Sequence, residues 1–364
     1  MKKNKILFAI SSLGLWHATR SLVIVEYYLK NWYEIDIMCS GNALMYLKEE
    51  LTWKRVNFIE YEDYPKLERG EGWKYYYFLM MDILLINVLI RKERNFVKKI
   101  EKKYDFIFSD GKYGAYSRKI PCFLLTHQLS FVMPKGLQVF SKPVDLWDFL
   151  YFKNFDCVFI PDYSSQKKSL AGNLSHPSWV NMLKHHYVGI LSSLYDYSGD
   201  AHDEKIDFLF TISGYLLENK DSFVKKLLAE AASLPWKKVF ILGDSNSSEI
   251  LELENNITVY PSVCWEQRKN FFHRAEVIIS RAGYTTIMDC AELKKKAIFF
   301  PTPGQTEQEY LALSLSEKNN FVFWVEQDPL NSLIMRLDYV DVLELKNSTQ
   351  HAIKKIHTII SSHL

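Results

Sequence analysis

Cysteine is scarce and scattered. Cys39, Cys122, Cys157, Cys264 and Cys290 make an odd total with no CxxC pair, which argues against a disulfide framework or a zinc ribbon and fits a reducing cytoplasm. An excess of one charge is also missing: 45 Lys+Arg stand against 43 Asp+Glu, a formal net charge of +2, so no nucleic-acid partner is expected. The most apolar stretch, Trp73 to Ile90, is interrupted by Asp82 and Asn87 and is too short and too polar to span a bilayer. No short-period repeat is visible. No DxD-like motif or His/Cys cluster calls for a metal, and no cofactor is expected. Lys2, Lys3 and Lys5 followed by an apolar run have the outline of a secretory leader. Ser11, Ser12, His17 and Arg20 interrupt that run with no small-residue cleavage site, so it reads as a first buried strand.

What is present is an ordinary globular composition, 48% hydrophobic and 24% charged over 364 residues, enough for about two domains at ~150 residues each. Short apolar runs alternate with stretches of helical period, the pattern of parallel sheets flanked by helices. Ile6 to Ile10, Ile35 to Met38, Phe106 to Phe108, Phe123 to Leu125 and Val158 to Ile160 read as strands of one α/β domain. After Tyr187-Val188-Gly189 the pattern restarts, with strands at Phe208 to Ile212, Val239 to Leu242, Val277 to Ile279, Ile298 to Phe300 and Phe321 to Val325. Helices are predicted near His17, over Ser222 to Ala232, Trp265 to Arg274, Thr285 to Leu293 and Gln308 to Lys318, and at the end over His351 to Ile360. The polar stretch Ser198 to Lys205 reads as surface between the halves. The domains are thus 1–187, 188–346 and a terminal helix in 347–364.

Trp73 to Ile90 reads as a long helix packed in the first domain, or as a partly exposed surface that touches lipid. The second reading is prompted by Arg91 to Lys103, which carries seven basic and two acidic residues; aromatics beside a basic helix suit a membrane interface.

Chemistry concentrates in Ser280-Arg281-Ala282-Gly283-Tyr284-Thr285-Thr286-Ile287-Met288-Asp289 and in Pro301-Thr302-Pro303-Gly304-Gln305-Thr306-Glu307-Gln308-Glu309. A strand ends at Ser280, Gly283 permits a tight turn, and Thr285 or Thr286 caps a helix whose free N–H groups suit a phosphate. Asp289, one turn inside, suits the vicinal hydroxyls of a ribose, and Gln305, Glu307 and Gln308 suit sugar hydroxyls. Phosphate, ribose and sugar together suggest a nucleotide sugar. Taken singly, each residue also fits a structural role: Thr285 a cap, Asp289 a first-turn acid, the Gln/Glu run a solvated helix start.

This block resembles the C-terminal domain of glycosyltransferase family 28, the family of the bacterial N-acetylglucosaminyltransferase that makes the lipid-linked peptidoglycan precursor. The resemblance implies a GT-B fold, two Rossmann-like α/β domains facing across a cleft. It implies that Asp289 holds the donor ribose, where Glu is usual, that Gly283 to Thr286 lie beside the diphosphate, and that Glu307 and Gln308 meet the donor sugar. Ser213-Gly214 is similar to the family's small-residue loop near the phosphates, and Cys264-Trp265 matches by position the backbone that meets the base. Leu311 stands where the family often has Asn.

The N-terminal match is Ser11-Ser12-Leu13-Gly14-Leu15-Trp16-His17-Ala18-Thr19-Arg20, a loop between the first strand and the first helix. Related enzymes carry a Gly-rich loop ending in Gly-His here; this chain keeps Gly14 and His17 but has Leu15 and Trp16 where glycines are usual. His17 is the first candidate for general base. Asp110, ending the strand Phe106 to Ser109, either orients His17 or is the base itself, and His127 is a third candidate. The expected activity is metal-independent, inverting hexosyl transfer from a UDP-sugar to a hydroxyl of a glycan or lipid-linked acceptor, at the cytoplasmic membrane face. A nucleotide-sugar hydrolase or epimerase, or a non-catalytic partner subunit prompted by Leu15 and Trp16, are the alternatives.

Overall fold

The computed structural model describes residues 4–364 except 53, 66–72, 134–135, 197–203, 213–219, 245–247, 319–320, 324–327 and 342–347. The chain divides into two compact units, Met1–Ser193 with Thr349–Leu364, and Leu194–Ser348.

The first unit holds strands β1 (Lys5–Ile10), β2 (Glu34–Cys39), β3 (Val56–Glu60), β4 (Phe106–Asp110), β5 (Cys122–Leu125), β6 (Cys157–Ile160) and β7 (His185–Tyr187). They form one parallel sheet in the order β3-β2-β1-β4-β5-β6-β7. The central strands are apolar and buried along their whole length, as strands covered on both faces must be. Helices α1 (Leu15–Lys30), α2 (Gly41–Glu50), α3 (Trp73–Ile100) and α4 (Ser141–Phe152) lie between strands. The order reverses between β1 and β4, and at such a switch point the loops leaving the two carboxyl ends splay apart and leave a crevice. The loop of His17 and the end of the Asp110 strand sit there.

The second unit repeats the plan. β8 (Ile206–Thr211), α5 (Lys220–Ala232), β9 (Lys238–Ile241), β10 (Leu251–Leu253), β11 (Ile257–Tyr260), α6 (Trp265–Arg274), β12 (Ala275–Arg281), α7 (Tyr284–Glu292), β13 (Lys296–Phe300), α8 (Thr306–Glu317), β14 (Val322–Phe323) and α9 (Leu330–Arg336) follow in order. The sheet order is β10-β11-β9-β8-β12-β13-β14, parallel except for the short β10. Its switch point lies between β8 and β12, and the turn at Gly283 leaves β12 there. The last helix, α10 (Thr349–Ser361), belongs to the first unit. There Thr349 Oγ1 accepts from the Ser192 amide at 2.8 Å and Lys355 Nζ donates to the Tyr187 carbonyl at 2.7 Å.

Every strand read from an apolar run is present. Those the runs did not show, β3, β7, β10 and β11, are short, lie at or next to sheet edges, and mix polar with apolar residues. Half-solvated strands carry no continuous apolar signal. The expected linker Ser198 to Lys205 lies mostly outside the described residues.

One buried group is at odds with its surroundings. Asp148 on α4 is fully buried, and neither carboxyl oxygen has a hydrogen-bond partner among the described residues. Burial, then the charge of Asp145, pushes its carboxyl well above the ordinary carboxylate range. The folded state therefore binds a proton that the unfolded chain releases, so stability falls as pH rises above about 4 toward the folded value. Asp148→Asn is expected to stabilise the protein at pH 7 by on the order of 1–3 kcal/mol, a gain that shrinks toward pH 4 in calorimetric scans.

Candidate functional site

In the first unit β1 ends at Ile10 and the chain turns through residues 11–14 into α1, which places His17 in the first turn of that helix. Asp63 holds the turn from beside β3, accepting from the Ser11 hydroxyl at 2.9 Å and from the Ser12 amide. Fully buried Lys112 in turn lies 3.4 Å from Asp63, 3.2 Å from Glu93 and donates to the Glu62 carbonyl. Trp16 folds over Gly14, where a Cβ would overlap its indole, and its ring centroid is 5.7 Å from that of His17. Leu15 and Trp16 are 45% and 46% exposed. They do not fill the unit's interior; they form an apolar rim beside the imidazole.

His17 Nδ1 lies 2.6 Å from Asp110 Oδ1. Asp110 is fully buried and also accepts from Arg20 Nε at 2.7 Å, from a second Arg20 nitrogen and from the Ser21 hydroxyl at 2.8 Å. Burial alone pushes its carboxyl up, but the charge of Arg20, with the hydrogen bonds from Arg20 and His17, outweighs burial and holds it well below the usual carboxylate range. An ionised carboxylate only accepts, so toward Asp110 the Nδ1 of His17 is the donor, and a terminal nitrogen of Arg20 also lies 3.0 Å from Nδ1. Gly111, at φ +74°, completes the fit: a Cβ there would stand 2.8 Å from His17 Cε1. His127, 5% exposed, receives Arg20 at Nδ1 over 3.1 Å. A guanidinium only donates, so the His127 proton is on Nε2. His17, Asp110 and His127 thus come together around Arg20, the last residue of the N-terminal match and one to which the sequence assigned no role.

In the second unit β12 ends at Arg281 and Gly283 is the N-cap of α7, with no side-chain cap bond. The helix begins at Tyr284, so Thr285 and Thr286 lie inside the first turn and neither is the cap. A glycine at the cap supplies no side-chain acceptor to the first-turn backbone N–H groups. At Gly283 a Cβ would meet nothing nearer than Thr286 Oγ1 at 4.0 Å, and φ is −75°. Neither backbone nor packing requires a glycine there; among the described residues the space beside the helix start is open. Tyr284 is buried. Arg281 is turned inward, its guanidinium 4.7 Å from the ring centroids of both Phe223 and Phe300 and donating to the Pro301 carbonyl at 2.8 Å.

Asp289 is fully buried and paired with Arg268 at 3.1 Å. The Arg268 guanidinium lies over the rings of Trp265 and Phe272. Cys264 is the exposed N-cap of α6, its amide bonded to Gln267, and Trp265 behind it is 8% exposed. Beyond β13, Gln305 is the N-cap of α8. Gln308 accepts from the Thr302 amide at 2.9 Å and donates to Gln305, so with Glu307 in the same turn the three polar residues stand together at one helix start. Ser213 and Gly214 lie outside the described residues. Among the described residues there is no cluster of three His, Cys, Asp or Glu side chains suited to a metal, and no helix long and apolar enough to cross a membrane.

Residues 242–361 match the glycosyltransferase family 28 C-terminal domain. No curated protein matches the sequence. Among solved structures, the chain is similar to CalG4, the calicheamicin glycosyltransferase, at 12% identity and TM-score 0.61 over 100% of this chain and 95% of that one. It is similar to Phytolacca americana UGT2, in a complex with UDP-2-fluoroglucose and pterostilbene, at 13% identity and TM-score 0.61 over the same shares. SnogD from Streptomyces nogalater matches at 14% identity and TM-score 0.57, over 99% of this chain and 95% of that one. The chain therefore has the GT-B fold, and its residues 242–361 match the glycosyltransferase family 28 C-terminal domain.

Proposed function

We propose that the protein transfers a hexosyl group from a UDP-sugar to a hydroxyl of a glycan or lipid-linked acceptor, with inversion. The observation that carries this reading is the imidazole of His17, fixed through Nδ1 by a buried ionised Asp110 and offering Nε2 at the switch-point edge of its sheet. Nε2 takes the proton of the acceptor hydroxyl as that oxygen bonds to the sugar's anomeric carbon. The bond from that carbon to the diphosphate breaks on the opposite face, and the electron pair leaves on the diphosphate oxygen. One displacement of this kind inverts the anomeric centre. The charge on the leaving group falls to the N–H groups at the start of α7, so the scheme needs no metal ion. The Gln305, Glu307 and Gln308 turn is the proposed contact for the sugar; Asp289, fully buried and paired with Arg268, is not proposed to touch the ribose. The Phytolacca structure was determined with a donor analogue of the class proposed here.

Gly283→Ala tests the donor half. The substitution fits the folded chain without a clash and restricts the unfolded one, so stability is expected to hold or rise by about 0.4–1 kcal/mol. UDP affinity, measured by calorimetry, is expected to fall at least about tenfold because the methyl group occupies the open space beside the helix start. Unchanged affinity sinks the donor assignment.

A lipid-linked acceptor is favoured by the apolar rim. Leu84, Leu85 and Val88 on α3 are exposed, as are Leu146 and Leu150 on α4. The two helices meet where Trp147 Nε1 and Tyr151 Oη donate to Asn87 Oδ1 at 3.1 and 2.6 Å. With Arg91 and Lys92 close by in the sequence, this face suits an anionic lipid surface. Co-sedimentation with vesicles containing phosphatidylglycerol at low salt is expected, and Leu84→Ser with Leu146→Ser is expected to abolish it.

A further inference from the structure

We propose that Arg20 is a positioning residue for His17: it neutralises Asp110, so that the carboxylate orients the imidazole without drawing a second proton onto it. The inference rests on His17 as the base. Arg20 is 1% exposed and spends three nitrogens on this cluster, Nε on Asp110 Oδ2 at 2.7 Å, one terminal nitrogen on Asp110 Oδ1, the other on His127 Nδ1 at 3.1 Å. The nitrogen on Oδ1 also lies 3.0 Å from His17 Nδ1. In a simple histidine–carboxylate pair the carboxylate stabilises the imidazolium. Here a second proton on His17 would place two cations side by side against one anion, in an interior where like charges repel strongly.

The groups facing this cluster from other elements do not alter that balance. His127, after β5, accepts from the guanidinium and so is uncharged at that contact. Tyr113 has its hydroxyl pushed up by burial and stays neutral. Asp63 is paired with Lys112. Arg20 therefore keeps Asp110 ionised, keeps the proton of His17 on Nδ1, and leaves Nε2 as a neutral acceptor. A guanidinium suits this role because it stays charged when buried and its planar fork reaches both carboxylate oxygens while the third arm fixes His127.

The test is an NMR titration of the histidine rings in the intact chain, with the His17 signal assigned by its loss in His17→Gln. In Arg20→Gln the His17 midpoint is expected to rise by about one pH unit or more, and in Arg20→Lys, which keeps the charge, to move by less than about half of that. Asp110→Asn, which leaves the guanidinium uncompensated, is expected to lower it by about one unit or more. Release of UDP from UDP-glucose should follow: in Arg20→Gln the acidic limb of the pH profile moves up with the titration, and the rate recovers above it. A His17 midpoint that stays in place in both Arg20→Gln and Asp110→Asn, or a rate lowered equally at every pH, overturns the proposal. Should His17→Gln still release UDP at the wild-type rate while the titration shifts occur, His17 is not the base and the electrostatic role of Arg20 stands.

Discussion

Replacing His17 by Ala is expected to lower transfer by about 10²- to 10⁴-fold while leaving UDP affinity within about twofold of the wild type. The separation follows from where the groups lie. His17 is in the first unit, on α1, whereas Gly283, Asp289 and the Gln305 to Gln308 turn are in the second. Removing the imidazole takes away the proposed acceptor for the hydroxyl proton and touches none of the proposed donor contacts. The variant should also fold, because the His17 side chain is bonded to Asp110 and Arg20, and those two still hold each other. Steady-state rates beside calorimetry with UDP check both halves; full turnover in His17→Ala removes His17 from the mechanism.

Asp110→Ala is expected to act on the fold itself. It removes the acceptor of Arg20, His17 and Ser21 at once and strands a guanidinium that is 1% exposed, a change that costs about 3–5 kcal/mol when one partner of a buried ion pair is lost. The pH dependence has a definite sign. The folded carboxyl lies below its unfolded value, so its contribution is complete above the unfolded pKa of about 3.9 and is lost as pH falls through the folded value. Denaturant unfolding should therefore show the gap between wild type and Asp110→Ala at full size near pH 7 and narrowing in strong acid. Asp148 has the opposite sign, since its carboxyl is raised and its cost grows as pH rises. The two aspartates share one unit, and the donors around the first, Arg20 foremost, separate their behaviour.

Much of the fold was legible in the chain. Runs such as Ile6 to Ile10, Phe106 to Phe108 and Val277 to Ile279 announce strands because a strand covered on both faces must be apolar throughout. The Gly283 turn and Asp289 were legible for a related reason, since a strand, a glycine and a helix in succession place backbone N–H groups at a sheet edge. Arg20 was not legible. At its position in the first helix it reads as one of several polar residues, between Thr19 and Ser21, and its partner Asp110 is ninety residues away in sequence. The same holds for Arg268, whose pairing with Asp289 and stacking on Trp265 depend on two helices meeting. Arg281 shows the converse: it stands in the motif read as the donor site, and packing sets its guanidinium against two phenylalanine rings.

Local patterns alone determined that this chain builds two parallel sheets with helices between the strands, because burial period and turn chemistry act over a few residues. Tertiary structure decided which charges meet. The strand order puts the ends of β1 and β4 side by side, and that adjacency, invisible along the chain, turns a histidine, an arginine and an aspartate into one interacting group.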